Sequence, residues 1–253
     1  MQATTENVND VYFDGMYKDI WKSLIPDKLT AAEVQFLIDE TPLLTSSKVL
    51  DIMCGYGRHS IALAQKGYQV TAIDNLDSYI TEIATRATAE NLPIRYIKEE
   101  ILNFCGDEQF DLAICMGNSI CFFNEADTLK LLSNLALQLK RGGKLVINSW
   151  CIAEIAIKNF VAKGSGKIGT TEMLTESEFL FHPTRIETLN TFIAEDGTKE
   201  FKKAVDYIYS YAEMERMLQA TGFTIKSAYS IPGKKVFSFG EPRLYLVAEK
   251  INE

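Results

Sequence analysis

Acidic side chains stand at or just past the ends of three apolar runs that read as strands. Asp51 lies in the first run, Asp74 closes the second, and Glu100 follows the third. A carboxylate offers two oxygens side by side, so Asp74 is suited to accept both hydroxyls of a ribose, and Glu100 is suited to accept an exocyclic amine. The carboxyl ends of parallel strands meet at one edge of a sheet, where open α/β sheets bind their ligands. The three acids therefore favour a nucleoside-like ligand at that edge.

A pair of glycines, Gly55 and Gly57, follows the first run and leads into a helical pattern. A strand, a glycine-rich turn and a helix bring backbone N–H groups and a helix N-terminus close to a polar ligand. The pair alone is a weak signal, because Ser60 stands where a dinucleotide-binding turn has its third glycine. Structural alternatives also stay open, since Asp51 could bind turn amides and Asp74 could cap the next helix. The joint spacing of the turn and the acids favours the ligand site.

The elements that must position these residues alternate between strand and helix patterns. The predicted strands cover residues 49–53, 69–73, 94–97, 110–115 and 144–148, and the predicted helices between them cover residues 58–65, 77–90 and 125–139. This alternation predicts right-handed crossovers and a parallel sheet that is covered on both faces. A helix at 211–221 is followed by two strands, 223–229 and 243–249, with no helix between them. Such a pair must be antiparallel.

The alternation breaks between residues 151 and 206. The elements predicted there are a helix at 152–161, a Gly/Ser-rich link at 163–169, and strands at 178–181, 185–194 and 198–209. The last two strands flank Asp196-Gly197, which is a strong hairpin signal between alternating runs. We interpret this segment as an antiparallel β insertion after the fifth strand and not as a second domain.

Residues 11–24 hold four aromatic side chains at helical spacing, namely Tyr12, Phe13, Tyr17 and Trp21. Residues four apart share one face of a helix, so a single face would carry most of them. That face would either dock on the core or cover a ligand. Farther along, Thr30-Ala-Ala-Glu33 reads as a capping box that starts a second helix.

Composition limits the classes of partner and compartment. The 253-residue chain is 47% hydrophobic and 24% charged, with a formal net charge of −8. These values are ordinary for a globular protein with a sizeable core, and the acidic charge argues against a nucleic acid as partner. Five cysteines without a CxxC spacing favour reduced thiols over disulfides or a zinc site. Residues 1–10 lack the features of a secretory signal, and no apolar run approaches a membrane span. We therefore expect a cytoplasmic protein without a bound metal.

The stretch from Val49 to Ser60, Val-Leu-Asp-Ile-Met-Cys-Gly-Tyr-Gly-Arg-His-Ser, resembles the first motif of the class I S-adenosylmethionine-dependent methyltransferases. That motif reads Val-Leu-Asp-Leu-Gly-Cys-Gly-Thr-Gly, so Met53 stands where the family often has glycine. Arg141-Gly142-Gly143 resembles the family's Lys-Pro-Gly-Gly turn without its proline. The antiparallel last strand is a further family trait. The resemblance covers nearly the whole chain and is clearest over residues 48–150.

The resemblance implies an α/β, Rossmann-like, doubly wound sheet of seven strands, mostly parallel with an antiparallel last strand, in one domain over residues 1–253. Residues 11–42 would form a helical cover, and residues 151–206 would form a substrate-covering insertion. The implied activity is in-line transfer of a methyl group from S-adenosylmethionine to a small-molecule acceptor, which mainly requires alignment and exclusion of water. The implied cofactor-binding residues are Tyr12, Tyr17, Asp51, Met53, Cys54, Gly55, Gly57, Arg58, Asp74, Asn75, Glu100, Ile101, Met116 and Asn118.

Two alternatives remain open for the activity. A NAD(P)-dependent Rossmann oxidoreductase shares the strand, turn, helix and acid, although Ser60 and the antiparallel last strand disagree with it. A non-catalytic S-adenosylmethionine-binding protein would show the same residues, because methyl transfer needs few chemical groups. Methylation of a nucleic-acid base is disfavoured, since Met116-Gly117-Asn118-Ser119 lacks the Asn/Asp-Pro-Pro-aromatic motif of such enzymes. No catalytic residue is assigned; we expect His59 to pack or bind backbone and His182 to lie in a surface turn.

Overall fold

The computed structural model describes residues 7–41 and 43–251. Its main sheet consists of the strands Lys48–Ile52 (β1), Gln69–Asp74 (β2), Ile94–Lys98 (β3), Phe110–Cys115 (β4), Leu139–Ser149 (β5), Phe223–Ile231 (β10), Lys235–Val236 (β11) and Leu244–Lys250 (β12). They lie in the order β11-β10-β12-β5-β4-β1-β2-β3. The two ends of the predicted 1–253 domain and residue 42 of its predicted cover lie outside the described residues.

Strand pairing in the main sheet agrees with the predicted topology. β1 pairs in parallel with β2 and β4, while β12 is antiparallel to both β5 and β10. The predicted antiparallel last strand is therefore confirmed. The predicted number of seven strands is wrong by one, because the two-residue β11 pairs with the edge of β10. A strand of two residues is too short to show an alternating pattern.

Helices connect these strands and cover the sheet. Their bounds are Met16–Leu24 (α1), Asp27–Glu40 (α2), Arg58–Gln65 (α3), Asp77–Glu90 (α4), Glu125–Gln138 (α5), Ala153–Asn159 (α6) and Tyr211–Ala220 (α7), with 3₁₀ turns at Val8–Val11 and Ser119–Phe122. The predicted capping box at Thr30 is wrong, since α2 begins at Asp27 after Pro26. The Thr30 hydroxyl instead accepts a hydrogen bond from Arg58 at 3.0 Å. None of the helices in the described ranges is long and apolar enough to span a membrane.

The core lies on both faces of the central strands, as expected for a parallel sheet. Along β1, Leu50 and Ile52 are fully buried against one apolar cluster, and Val49 is fully buried against the other. The first cluster also receives side chains of α5 and α7, and the second receives side chains of α2 and α3. This two-sided burial holds β1 rigidly, and β1 carries the glycine turn at its carboxyl end.

The insertion forms a separate antiparallel sheet of four strands, Lys163–Ile168 (β6), Thr171–Phe181 (β7), Thr184–Ile193 (β8) and Lys199–Tyr207 (β9), in that order. The predicted hairpin around Asp196-Gly197 is confirmed by the pairing of β8 with β9. The predicted Gly/Ser-rich link is wrong, because β6 occupies it and pairs with β7 along six residues. Backbone pairing with a long neighbouring strand here overrides the low strand propensity of glycine and serine.

Candidate active site

The turn after β1 is built from residues in the left-handed region. Met53, Gly55 and Gly57 have φ values of 51°, 56° and 76°. Gly57 is the N-cap of α3, and a Cβ atom there would lie 2.6 Å from Cγ1 of Ile83. Close helix packing therefore requires a glycine at this position. Met53 adopts a backbone conformation that costs L-residues free energy, which explains why the resembling family often has glycine there.

Asp74 ties this turn to the end of β2. Its carboxylate accepts hydrogen bonds from the backbone N–H groups of Gly55 at 2.8 Å and Leu76 at 3.0 Å. Burial raises the pKa of Asp74 to about 6, and the negative charges of Asp51 and Glu100 add to this, although the two amide bonds oppose it. Each carboxylate oxygen keeps a further lone pair, so Asp74 combines a structural bond with capacity for a ligand.

Asp51 and Ser60 form a buried pair behind the turn. The Ser60 hydroxyl donates to Oδ2 of Asp51 at 2.6 Å. Burial raises the pKa of Asp51, while the charges of His59 and Arg58 and the Ser60 hydrogen bond oppose the rise. Ser60, which departs from the dinucleotide pattern, thus has a role of its own as the hydrogen-bond donor to the first acid.

A cavity of about 960 Å³, counted with the solvent at its mouth, opens at the carboxyl ends of β1 to β4. It lies where the strand order reverses beside β1, the usual ligand position in open α/β sheets. The structure brings ten of the fourteen predicted cofactor-binding residues to its wall: Asp51, Met53, Cys54, Gly55, Arg58, Asp74, Asn75, Glu100, Ile101 and Met116. Its size is within the range of small-molecule sites.

Four predicted residues do not line this cavity. Gly57 points its Cα toward Ile83 under the turn. Tyr12 is buried, and its hydroxyl accepts a hydrogen bond from Asn190 at 2.6 Å. Tyr17 lies behind Tyr12, with ring centroids 4.6 Å apart. The fourth residue, Asn118, is turned away from the cavity by hydrogen bonds to the segment after β5.

Asn118 organises a buried polar cluster at the start of the insertion. Its Oδ1 accepts from the Ser149 hydroxyl at 2.9 Å and from the backbone N–H groups of Trp150 and Cys151 at 2.9 and 3.1 Å. Its Nδ2 donates to Sγ of Cys151 at 3.0 Å and to Oδ1 of Asp206 at 3.2 Å. Burial raises the pKa of Asp206 to about 6. No sequence pattern indicates Asp206, because its partner Asn118 is distant in the chain.

The N-terminal segment covers the cavity and supplies lining residues that the sequence did not assign. Asn75 Nδ2 donates to Oδ1 of Asp10 at 2.8 Å, and the Tyr79 hydroxyl donates to the carbonyl of Phe13 at 2.8 Å. The lining residues beyond the fourteen assigned to the cofactor are Asn7, Asn9, Asp10, Phe13, Trp21, Tyr56, His59, Ile73, Leu76, Tyr79, Glu99, Gly117, Ser119, Phe122 and Phe123. For Phe13 and Trp21 the signal was present in the aromatic spacing. Of the predicted cover over residues 11–42, α2 packs against α3 in the second apolar cluster, and none of its residues lines the cavity.

A buried carboxylate fixes the residues at the start of α3. Oε2 of Glu33 accepts from Nη1 of Arg58 at 2.5 Å and lies 3.0 Å from Nε2 of His59, while Oε1 accepts from the Tyr245 hydroxyl at 2.7 Å. Burial opposes ionisation of Glu33, but the His59 hydrogen bond and the charges of His59 and Arg58 outweigh it and lower the pKa to about 2. His59 is buried, as the expected packing requires, and its hydrogen-bond partner is the Glu33 side chain and not the backbone.

Sequence comparison finds similarity to methyltransferases in the part of the chain that forms this site. Residues 49–143 match the family model described as methyltransferase domain. A glycine/sarcosine/dimethylglycine N-methyltransferase of Actinopolyspora halophila is 26% identical over 93% of this chain and 42% of its own length. The glycine N-methyltransferase of Homo sapiens is 29% identical over 58% of this chain and 56% of its own length. The chain thus spans about half the length of these curated relatives.

Solved structures show the same fold over nearly the whole chain. An S-adenosylmethionine-dependent methyltransferase from Clostridium acetobutylicum superposes with a TM-score of 0.81 at 17% identity, covering 94% of this chain and 97% of that one. The S-adenosylmethionine-bound amino pentose methyltransferase CalS10 from Micromonospora echinaspora gives 0.70 at 16% identity, covering 94% and 97%. The sequence match to the methyltransferase domain thus runs from β1 into β5, and the complete fold follows the same plan as these solved S-adenosylmethionine-dependent methyltransferases.

Proposed function

We propose that this chain transfers a methyl group from S-adenosylmethionine to a small-molecule acceptor. The observation that carries the proposal is the covered cavity at the carboxyl ends of β1 to β4, with Asp74 and Glu100 in its wall. The names of the relatives support a small acceptor, since they specify glycine, sarcosine and dimethylglycine as methylated compounds. The amino pentose and sugar N-methyltransferases among the solved structures support it too.

The residues in the cavity fit this cofactor by their chemistry. Asp74 would accept the ribose hydroxyls with the lone pairs that its two amide bonds leave free. Glu100 would accept the adenine amine, and the neighbouring Ile101 is buried at the cavity wall, where it would pack on the ring. Arg58 would lie toward the carboxylate end. When bound, S-adenosylmethionine supplies an already activated methyl group.

The chain itself would mainly align the acceptor and exclude water. Two hydrogen bonds connect the N-terminal segment to the insertion beside the cavity. Asn9 Nδ2 donates to the carbonyl of Val205 at 2.8 Å, and Asn9 Oδ1 accepts from the N–H of Val205 at 2.9 Å. Because the segment and β9 are locked together here, residues 151–206 would form the acceptor side of a closed site. Substrate selectivity would then lie in the insertion and in the N-terminal aromatic residues.

The proposal includes a cytoplasmic location and no nucleic-acid partner. The formal net charge of −8 disfavours a phosphate backbone. Five free cysteines, three of them buried, are typical of a reducing compartment.

Isothermal titration calorimetry tests the proposal. We expect wild-type protein to bind S-adenosylmethionine and S-adenosylhomocysteine and not NAD. Asp74→Asn should weaken S-adenosylmethionine binding by about 10- to 100-fold, the scale of a hydrogen bond to a charged group. The matched control is Asp77→Asn, three residues later on an exposed carboxylate that pairs with Lys98, and it should leave the affinity unchanged. Binding of NAD alone, or equal affinities of the two variants, would contradict the assignment.

A further inference from the structure

Asp206 is a half-buried carboxylate without a cation. It lies in β9 of the insertion, and burial raises its pKa to about 6. Its hydrogen-bond partners are neutral: the amide of Asn118, which donates at 3.2 Å, and the Cys151 thiol. In the described part of the chain no Lys, Arg or His forms an ion pair with it. A carboxylate in such surroundings costs free energy unless it is paired or hydrogen-bonded. Asp206 is hydrogen-bonded, but no cation of the described residues balances its charge.

The surroundings of Asp206 are aromatic and uncharged. The negative charge of Asp206 and burial help to raise the pKa of Tyr12 to about 12 and that of Tyr17 above its usual value. Both phenols therefore stay protonated at neutral pH, as does the Cys151 thiol, whose pKa is also raised. The ring of Tyr17 contacts Phe192 at 5.9 Å between centroids. A carboxylate with aromatic rings beside it is suited to bind an organic cation.

This cluster adjoins the cofactor cavity. Asn118, which holds Asp206, stands between Gly117 and Ser119, and both of these line the cavity. From the other side, Asn9 lines the cavity and is hydrogen-bonded through both its amide atoms to Val205. Asp206 thus sits one residue from the cavity wall on each path. Asp206 keeps part of its surface exposed, so a small acceptor can contact it.

The cations near this subsite are already paired. Lys202 projects from the same face of β9, but its ammonium binds Asp14 and Glu200. Arg58 is the one Lys or Arg side chain among the described cavity residues, and Glu33 holds it. A ligand carboxylate beside Asp206 would therefore meet like charge and no free cation. Glycine and sarcosine, which the relatives' names specify, carry such a carboxylate.

We propose that Asp206, with Tyr12 and Tyr17, recognises the amine of the methyl acceptor, and that this acceptor is a primary or secondary amine without a neighbouring carboxylate. A carboxylate accepts N–H hydrogen bonds from an amine and from its ammonium form alike. Asn118 is the positioning residue that fixes the Asp206 carboxylate. The proposal rests on the proposed function, because it assigns the acceptor side of that same site.

Calorimetry on the S-adenosylhomocysteine complex tests the assignment without turnover. The probes are 2-aminoethanol and glucosamine, with glycine and sarcosine as the carboxylate-bearing counterparts. We expect both carboxylate-free amines to bind wild-type protein more tightly than either amino acid. Asp206→Asn should weaken amine binding about 10- to 100-fold, and Asp206→Glu should restore part of it. Glu178→Gln, an exposed carboxylate on β7 of the same insertion, should change nothing.

The outcomes separate this proposal from the proposed function. If S-adenosylhomocysteine binds normally but no amine binds saturably, or if Asp206→Asn retains amine affinity, the assignment of Asp206 is overturned. Tighter binding of glycine or sarcosine than of the amines also overturns it. If Asp206→Asn also loses S-adenosylhomocysteine affinity, two other results test the assignment. It is overturned if wild type does not prefer the carboxylate-free amines or if Asp206→Glu recovers no amine affinity. Failure of wild type to bind either methionine-derived ligand contradicts the proposed function itself.

Discussion

Substitution of Met53 allows a direct measurement of the backbone strain in the turn after β1. Its φ of 51° lies in the left-handed region, which costs an L-residue roughly 1–2 kcal/mol and costs glycine little. Its side chain is partly buried and packs against the core cluster of Leu50 and Ile52. Replacement by glycine or by alanine removes that packing to a similar extent, so the difference between the two variants isolates the backbone conformation.

We expect Met53→Gly to be more stable than Met53→Ala by about 0.5–1 kcal/mol. Relief of the left-handed strain contributes roughly 1–2 kcal/mol, and the greater unfolded-state entropy of glycine takes back roughly 0.4–1 kcal/mol. At an ordinary helical position the order is reversed. Ala62→Gly within α3 should therefore destabilise the protein by about 1 kcal/mol and serves as the control.

Urea unfolding of the ligand-free variants measures these differences, provided that the slopes of the transitions agree. If Met53→Ala is as stable as Met53→Gly or more so, the turn does not hold residue 53 under strain. In that case the preference of the family for glycine at this position would have to come from contact with the cofactor and not from the backbone.

Three further outcomes follow from the geometry. Gly57→Ala should destabilise the protein by about 2 kcal/mol or more, because φ of residue 57 is 76° and the added Cβ would lie 2.6 Å from Ile83. Urea unfolding measures the loss, and an unchanged stability would contradict the packing argument. Glu33→Gln should cost roughly 3 kcal/mol, since Arg58 would lose its buried partner, and an unchanged unfolding midpoint would refute this. Asp74 and Asp206 have pKa values raised from 3.8 to about 6, so their stabilising contribution is complete below pH 3.8 and is lost as pH rises through 6. Between pH 4 and 7.5 the ligand-free wild type should lose up to roughly 3 kcal/mol per group relative to the Asp74→Asn/Asp206→Asn double variant. Parallel pH profiles of the two proteins would contradict this prediction.

The parts of the fold that follow a strong repeating pattern could be predicted from the sequence. The bounds of α3 and α4 were predicted correctly because their caps and apolar spacing are local signals. The strand β6 could not be predicted, since its backbone is ordered by pairing with β7 and its own residues favour a loop. Likewise, α2 begins at Asp27 after Pro26, and Thr30 lies inside the helix, where it contacts Arg58 from a distant segment.

The candidate site shows the same division. Residues of the turn and the strand ends were predictable because the sheet fixes where strand ends meet. Asp206 and Asn9 were not, because each acquires its position through a partner far along the chain. Asn9 is held by Val205 across 196 residues of sequence, and Asp206 by Asn118 across 88. Such contacts leave no periodic pattern, so only the folded chain identifies them.

The negative charge of the cavity lining would affect the binding of both the proposed cofactor and the proposed acceptor. Five acids line it, Asp10, Asp51, Asp74, Glu99 and Glu100, while the charge of Arg58 is already balanced by Glu33. A ligand with a net positive charge would lower the cost of ionising Asp51 and Asp74, the two of these acids that are buried. S-adenosylmethionine carries a sulfonium charge that is lost on methyl transfer, so the lining would favour the cofactor over its product. The Asp206 carboxylate would balance the charge of an acceptor amine in its ammonium form. This limits repulsion between that ammonium and the sulfonium in one closed site.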